Sequence, residues 1–261
     1  MMSDTILSIR NVSKSFDLPR GKSLTAVDDV SFDVPRGSIC VLLGPSGSGK
    51  STILRMIAGL ETQSAGQVLL NDVPIDGPGR DRGMVFQAYT SFDWMSVGRN
   101  VEFGMKINGV SADKRRGRAE HFIGLVGLSK FIDAYPSRLS GGMRQRVAIA
   151  RSLANAPEVL LMDEPFGALD AETRWQMQEL MIEVAEASGT TMVIVTHDIE
   201  EAIYLADRIV FLSSHPGRLK EEIIPSFKPG RLKRKEDAIA LPGYAELEHK
   251  IMRMMREEGG H

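Results

Sequence analysis

The stretch from Ile39 to Ser51 constrains the fold of this chain more than any other. Ile39-Cys40-Val41-Leu42-Leu43 is continuously apolar, the pattern of a strand covered on both faces in a parallel sheet. It runs directly into Gly44-Pro45-Ser46-Gly47-Ser48-Gly49-Lys50-Ser51, a G-x-x-x-x-G-K-S loop, and Lys50 to Leu60 then reads as a helix. Glycines at this spacing let consecutive backbone N–H groups point inward at phosphate oxygens, and the following helix adds its N-terminal dipole. Lys50 supplies a point charge between phosphates and Ser51 offers a hydroxyl to Mg²⁺. Thr52 follows in the same first turn and joins the phosphate-binding set. A chance glycine-rich turn has no reason to fall between a buried strand and a helix.

Around this unit the chain reads as α/β. Ile6 to Val12 is apolar-rich and Val30-Ser31-Phe32-Asp33-Val34 alternates strictly, so the first third is β structure. Gly66 to Asp72 suggests an edge strand, and Met84-Val85-Phe86 a short central one. From about Ser91 to Asn155 the character is helical. Parallel-strand patterns return at Val159–Met162, Met192–Val195 and Ile209–Leu212, with a helix predicted over Ala171 to Ala187. The expected architecture is a phosphate-loop nucleotide-binding core with an N-terminal antiparallel β subdomain and an inserted helical subdomain over about 88–155. One nucleotide-binding domain spans 1–230 in this reading, followed by a basic segment and C-terminal helix over 231–261.

Chemistry-bearing residues gather at the ends of these elements. Val159-Leu160-Leu161-Met162 ends in Asp163-Glu164, at the strand edge where ligands bind in open α/β sheets. Neighbours on an extended chain point different ways, so the two carboxylates are expected to divide the work. Asp163 holds Mg²⁺ through its water shell, and Glu164 polarises the water that attacks a γ-phosphate. A surface or capping Asp-Glu pair is the plainer reading, and four apolar residues before it argue against that. Gln87 closes the Met84–Phe86 strand, where a neutral amide can contact Mg²⁺ or the attacking water. Ser140-Gly141-Gly142 opens a helical stretch and makes an anion site of the kind found at helix N-termini. It is expected to face away from the chain's own phosphate loop.

Leu139-Ser140-Gly141-Gly142-Met143, set between the phosphate loop and the Asp163-Glu164 strand, resembles the ATPase subunits of ATP-binding-cassette (ABC) transporters. The resemblance covers nearly the whole chain. It implies that two copies pack head to tail, each Ser140 loop closing the ATP held by the other. It also implies that His197, in Met192-Val193-Ile194-Val195-Thr196-His197-Asp198, contacts the γ-phosphate, and that Asp170, in Ala168-Leu169-Asp170, communicates with the opposing copy. Gln87 takes the place of the family's mobile glutamine loop. Phe16 takes the place of the aromatic that stacks on adenine, with a packed core phenylalanine as the alternative. The loop Ala88 to Val97 carries Tyr89, Phe92 and Trp94 where importers receive a helix of the membrane permease.

Within the family the layout is similar to the nitrate/sulfonate/taurine importer group, through Gln87 with Trp94 seven residues on and Ser214-His215-Pro216-Gly217-Arg218. The chain departs from that group in having Asp93 where proline usually precedes the tryptophan. The implied activity is ATP hydrolysis, with ATP and Mg²⁺ bound, coupled to uptake of a small anionic solute. The implied partners are a second copy, integral-membrane permease subunits and, indirectly, an extracytoplasmic solute-binding protein. An exporter subunit and a non-transport ABC ATPase acting on DNA or ribosomes are the alternatives. The latter group carries long inserted coiled coils or two cassettes per chain, and this sequence has neither.

Composition agrees with that choice. The 32 basic and 34 acidic residues leave a formal charge of −2, with no signature of a nucleic-acid partner. No apolar run approaches the length needed to cross a bilayer, and Met1–Thr5 shows no secretory pattern. The single cysteine, Cys40, reads as an inert core thiol suited to a reducing cytosol. The expected location is the cytoplasmic face of the cell (inner) membrane, held there by other subunits. The tail carries Lys228, Arg231, Lys233, Arg234 and Lys235, expected as solvated charge with lipid headgroups or a partner as the livelier reading. Leu247, Ile251, Met254 and Met255 mark one face of a final helix that folds back on the core.

Overall fold

The computed structural model describes residues 5–88 and 90–259. Met1–Asp4 and Tyr89, which figured in the sequence analysis, lie outside the described residues.

Two sheets form the frame. A long hairpin of β1 (Thr5–Leu18) and β2 (Lys22–Pro35) pairs antiparallel with β4 (Ala65–Leu70), which is followed by the two-residue β5 (Val73–Pro74), in the order β2-β1-β4-β5. The expected edge strand at 66–72 is therefore not the edge, because the chain turns at Asn71-Asp72 and lays β5 beside it. The second sheet contains β3 (Ile39–Leu43), β6 (Arg82–Val85), β7 (Val159–Asp163), β8 (Thr191–Thr196), β9 (Arg208–Leu212) and β10 (Leu219–Ile223), in the order β10-β9-β3-β8-β7-β6. All its pairings are parallel except β10 on β9. The 84–86 segment, expected to be central, is the edge strand β6. Its short apolar run does not require cover on both sides, and α4 (Gly141–Ala154) packs against it, with Ser152 Oγ donating to the Met84 carbonyl.

Alternation along the parallel strands divides the core cleanly. Cys40, Leu42, Leu161, Val193 and Val210 face α1 (Lys50–Ile57) and the antiparallel sheet. Val41, Leu43, Leu160, Met162, Ile194 and Ile209 face the remaining helices. Every residue of β3 and β8 is buried, as a sheet covered on both faces requires. Burial pushes the Cys40 thiol up to about 12, so it is an inert core group.

The inserted helices are α2 (Val97–Ile107), α3 (Ala112–Leu125) and α4 (Gly141–Ala154). Asn100, fully buried, holds the loop before α2. Its Nδ2 donates to the carbonyls of Phe92, Met95 and Ser96, and its Oδ1 accepts from Phe92 N at 2.8 Å. α5 (Ala171–Ser188) ends at Gly189 in the left-handed region, and α6 (Ile199–Leu205) follows β8.

The tail contains α7 (Lys235–Ile239) and α8 (Tyr244–Gly259). Ala238, Tyr244, Ile251 and Met254 join the same core as the helices, with Leu247 and Met255 packed beside them. The basic cluster is divided: Lys233 and Arg234 are exposed, as expected of solvated charge, while Lys228 and Arg231 are half-buried and Lys235 is buried. Lys228 Nζ donates to the carbonyls of Tyr204 and Ala206 at the end of α6, and Arg231 bonds Asp207 and the Gly37 carbonyl. Lys235 is buried against Glu200 and the Trp175 ring, Arg234 pairs with Glu236, and Lys233 reaches Glu186 at 3.9 Å. Long cationic stems here cover apolar surface while their heads find carbonyls and carboxylates.

Candidate functional site

Strands β6, β7 and β8 are neighbours, so the residues just past their C-terminal ends meet. Glu164 follows β7, Gln87 lies two residues past β6, and His197 follows β8. Gln87 Nε2 donates to Glu164 Oε2 at 3.4 Å, and His197 Nδ1 lies 3.2 Å from Glu164 Oε1. The sequence analysis named these residues separately, and the sheet order brings them together.

Glu164 leaves the strand at φ 43°, the left-handed region that side chains enter at a cost of about 1–3 kcal/mol. Its N–H donates to the Val195 carbonyl at 3.0 Å, and its own carbonyl accepts from Gly167 N at 3.2 Å. The two carboxylates diverge, Asp163 toward Ser51 and Glu164 toward Gln87 and His197. Asp163 remains in β7, and its Oδ1 accepts from Ser51 Oγ at 2.8 Å. Ser51 and Asp163 thus present a hydroxyl and a carboxylate side by side.

The phosphate loop lies next to them. A cleft of about 230 Å³ has walls, among the described residues, from Ala26, Ser46 to Thr52 and Glu164. Lys50 Nζ donates to the carbonyls of Gly44 and Pro45 and to Ser48 Oγ, at 2.8, 2.7 and 3.3 Å. Burial pulls the Lys50 ammonium below the ordinary lysine range, opposed by the Glu164 and Asp163 carboxylates. Gly49 has φ 78°, and a Cβ there would lie 2.7 Å from the Ala26 carbonyl. Only glycine meets both conditions.

The residues fit a magnesium ion held beside a nucleotide. Hydroxyl, carboxylate and amide oxygens are the hard donors that Mg²⁺ prefers, and such an ion takes one or two protein oxygens with phosphates and water as the rest. Among the described residues no group of three or more His, Cys, Asp or Glu is placed to cage a metal.

The other candidates stand apart from this cleft. Ser140 is exposed and caps α4, its Oγ accepting from Met143 N at 3.3 Å. Asp170 is exposed and caps α5, and the Thr173 N–H and hydroxyl hold its carboxyl below the ordinary range. A Cβ on Gly142 would lie 2.5 Å from Thr173 Cγ2, so the α4 and α5 caps adjoin on one surface. Phe16 is half-buried on β1, opposite Leu24 and under Lys14 Nζ, 4.9 Å from its centroid. It is not a core phenylalanine, and its strand adjoins the Ala26 segment of the cleft wall.

A second depression of about 310 Å³ lies between β6, α2 and α4, lined by Arg82, Met84, Phe92, Phe103, Ile107 and Arg151 among others. Phe92 packs at 4.5 Å on Phe103, under the Arg151 guanidinium, and at 5.3 Å on Trp94, which is 72% exposed. Within the described part of the aromatic loop, Phe92 packs inward and Trp94 faces solvent. Sequence reasoning missed Asn100, a lone polar residue in an amphipathic helix. It also missed Glu201, buried behind His197 and tied to Gln178 Nε2 at 3.4 Å. Neither carries a local motif.

Comparisons with known proteins agree with this geometry. The family model described as ABC transporter matches residues 27–167. A nitrate import ATP-binding protein of Synechocystis sp. is 48% identical over 217 residues, covering 83% of this chain and 81% of that protein. A taurine import ATP-binding protein of Jannaschia sp. is 43% identical over 252 residues, covering 96% and 94%. Among solved structures, the dimeric structure of a post-hydrolysis state of an ATP-binding cassette bound to ADP and Pi superposes with a TM-score of 0.74. It is 32% identical, and the match covers 84% of this chain and 99% of that one. With these matches the chain belongs to the ABC transporter family as an ATP-binding, ATP-hydrolysing cassette.

Proposed function

We propose that this cassette powers import of a small anionic solute of the nitrate, sulfonate or taurine kind. It works as a head-to-tail dimer at the cytoplasmic face of the cell membrane, bound to permease subunits and served indirectly by an extracytoplasmic solute-binding protein. The observation that carries the catalytic part is the meeting of Gln87, Glu164 and His197 beside the phosphate loop. Glu164 orients and polarises the attacking water, while His197 contacts the γ-phosphate and, through Nδ1, steadies the Glu164 carboxylate. Loop amides, Lys50 and the first turn of α1, with Ser51 and Thr52, bind the phosphates. Ser51, Asp163 and Gln87 hold Mg²⁺, which neutralises phosphate charge when bound. Phe16 stacks on the adenine.

The dimer reading is supported by the exposed Ser140 and Asp170 caps, which adjoin each other outside the chain's own cleft. The permease is received in the depression walled by Phe92 and Phe103, with Trp94 at its rim. Among the described residues no helix is long and apolar enough to cross a membrane, so membrane coupling requires another subunit. The import reading is supported by the relatives named for nitrate and taurine import. A gentle-detergent pull-down of the tagged protein from its native membranes tests the assembly. A co-purified polytopic permease is expected, and recovery of cytosolic partners alone overturns the transport reading.

A further inference from the structure

The tail was the one part of the sequence to which the nucleotide chemistry gave no task, and its last helix ends on the wall behind the phosphate loop. Glu258, in the final turn of α8, has a side chain only 15% exposed. Its Oε2 accepts from Ser214 N at 2.7 Å and from Ser214 Oγ at 3.0 Å, and its Oε1 accepts from Lys220 Nζ at 2.8 Å. These partners, Lys220 first and the Ser214 N–H next, hold its carboxyl below the ordinary range. An acidic side chain at a helix C-terminus works against the helix dipole. A residue that breaks a local rule while making three specific bonds calls for a tertiary reason.

Ser214 belongs to the loop between β9 and β10, which is closed on itself. Ser213 N donates to the Arg218 carbonyl at 2.9 Å, and Ser213 Oγ accepts from Arg218 N at 3.0 Å. The loop is sewn to the strand that borders the nucleotide cleft, with Gly217 N donating to the Ala26 carbonyl at 3.0 Å and Asp28 N to the Gly217 carbonyl at 2.9 Å. It is also pressed against the phosphate loop itself. A Cβ on Gly217 would lie 2.1 Å from the Ser48 carbonyl oxygen, and one on Gly44 would lie 2.6 Å from the Leu212 carbonyl. Ser48 in turn accepts from Lys50 through its hydroxyl. Backbone in such close contact has no room to shift independently.

We infer that Glu258 is a positioning residue for the phosphate loop, acting through Ser214 and Gly217 to hold the Ser48 backbone in its phosphate-binding form. α8 supplies the fixed point, because Ile251 and Met254 anchor it in the core. Without the clasp the 213–218 loop loosens, and the ordering it had supplied must be met when nucleotide binds, which weakens affinity. The inference rests on the nucleotide reading of the Gly44–Ser51 loop.

Calorimetric titration of the full chain with ATP and magnesium tests it, alongside thermal unfolding of each variant. Glu258→Ala is expected to weaken ATP binding about ten-fold, as loss of charge-assisted bonds that order a site would do. Glu258→Gln, which keeps an acceptor for Ser214, should restore binding to within about three-fold of the parent. Glu257→Ala, which removes only an exposed partner of Lys220, should leave it unchanged. A merely structural role would lower the melting temperature of Glu258→Ala and leave ATP affinity, measured well below that temperature, within two-fold of the parent; that result overturns the inference. Should Glu258→Ala not fold, Ser214→Ala carries the test, with about three-fold weakening expected and unchanged affinity refuting. Failure of the parent protein to bind ATP would instead sink the nucleotide reading, so the two failures are distinct.

Discussion

The Nδ1 atom of His197 lies 3.2 Å from Oε1 of Glu164, although 33 residues separate them in the chain. The contact exists because β7 and β8 are adjacent and parallel, with Asp163 opposite Val195. Glu164 then turns out of the strand at a positive φ, which aims its carboxylate across the sheet edge toward both His197 and Gln87. A carboxylate held from both sides is preorganised for one orientation of water.

Glu164→Gln is therefore expected to lower the rate of phosphate release by at least about 100-fold, the scale of a lost general base or water-orienting group. ATP binding should survive, and an ATP-bound dimer should accumulate. Steady-state phosphate assays and light scattering after size-exclusion chromatography read both outcomes. Hydrolysis at the parent rate would remove Glu164 from the catalytic role.

Lys50→Ala should act earlier in the cycle. Lys50 is the buried cation at the mouth of the phosphate loop, so its loss should weaken ATP binding by about ten-fold or more in calorimetry. Unchanged affinity would count against the loop assignment.

Glu201 makes stability depend on pH in a direction opposite to most carboxylates. Burial, reinforced by Asp198, pushes its carboxyl up to about 8 from an ordinary 4.5, against the opposing pull of Thr196, Gln178 and Arg174. Below pH 4.5 the group is protonated in both folded and unfolded chains and contributes no difference. Between 4.5 and about 8 the unfolded chain releases the proton while the folded chain keeps it, so stability falls as pH rises. Glu201→Gln should remove that slope. Thermal unfolding should find the variant at least about 3 °C more stable than the parent, relative to their difference at pH 5, when both are measured at pH 8. Parallel pH profiles for the two proteins would contradict the protonated assignment.

Trp94 separates docking from chemistry. It is 72% exposed and touches Phe92 at one edge, so Trp94→Ala should leave ATP hydrolysis by the purified cassette unchanged. The same variant should recover less permease from detergent-solubilised membranes, as loss of an exposed aromatic anchor does at an interface. Equal recovery would move the docking surface elsewhere.

Much of the nucleotide site was legible in the sequence because its parts are local. The Ile39–Leu43 run specifies a doubly covered strand by hydrophobicity alone, and the glycine spacing of 44–49 specifies the loop that follows it. Ser140 announces a helix N-terminus by capping chemistry and does cap its helix, whereas Asp170, named only through the family resemblance, caps α5 as well. The apolar stripe of α8 was equally visible, since a 3.6-residue period needs no partner to be read. Strand order is different. Nothing near Met84 says whether its strand lies at the centre or the edge, because that depends on how the inserted helices cross over. For the same reason the meeting of Gln87, Glu164 and His197 appeared only with the sheet assembled. The positive φ of Glu164 carries no sequence signature, and it accompanies a hydrogen bond to Val195 on the neighbouring strand and a turn closed by Gly167. Charge was the least legible property of all. Lys228, Arg231 and Lys235 read as a solvated cluster in the sequence, yet carbonyls at the end of α6 and the carboxylates of Asp207 and Glu200 claim them one by one. Local pattern thus determined which elements form and which faces they bury, and only the packing decided which ends meet, because a side chain's partner is set by what the fold places opposite it.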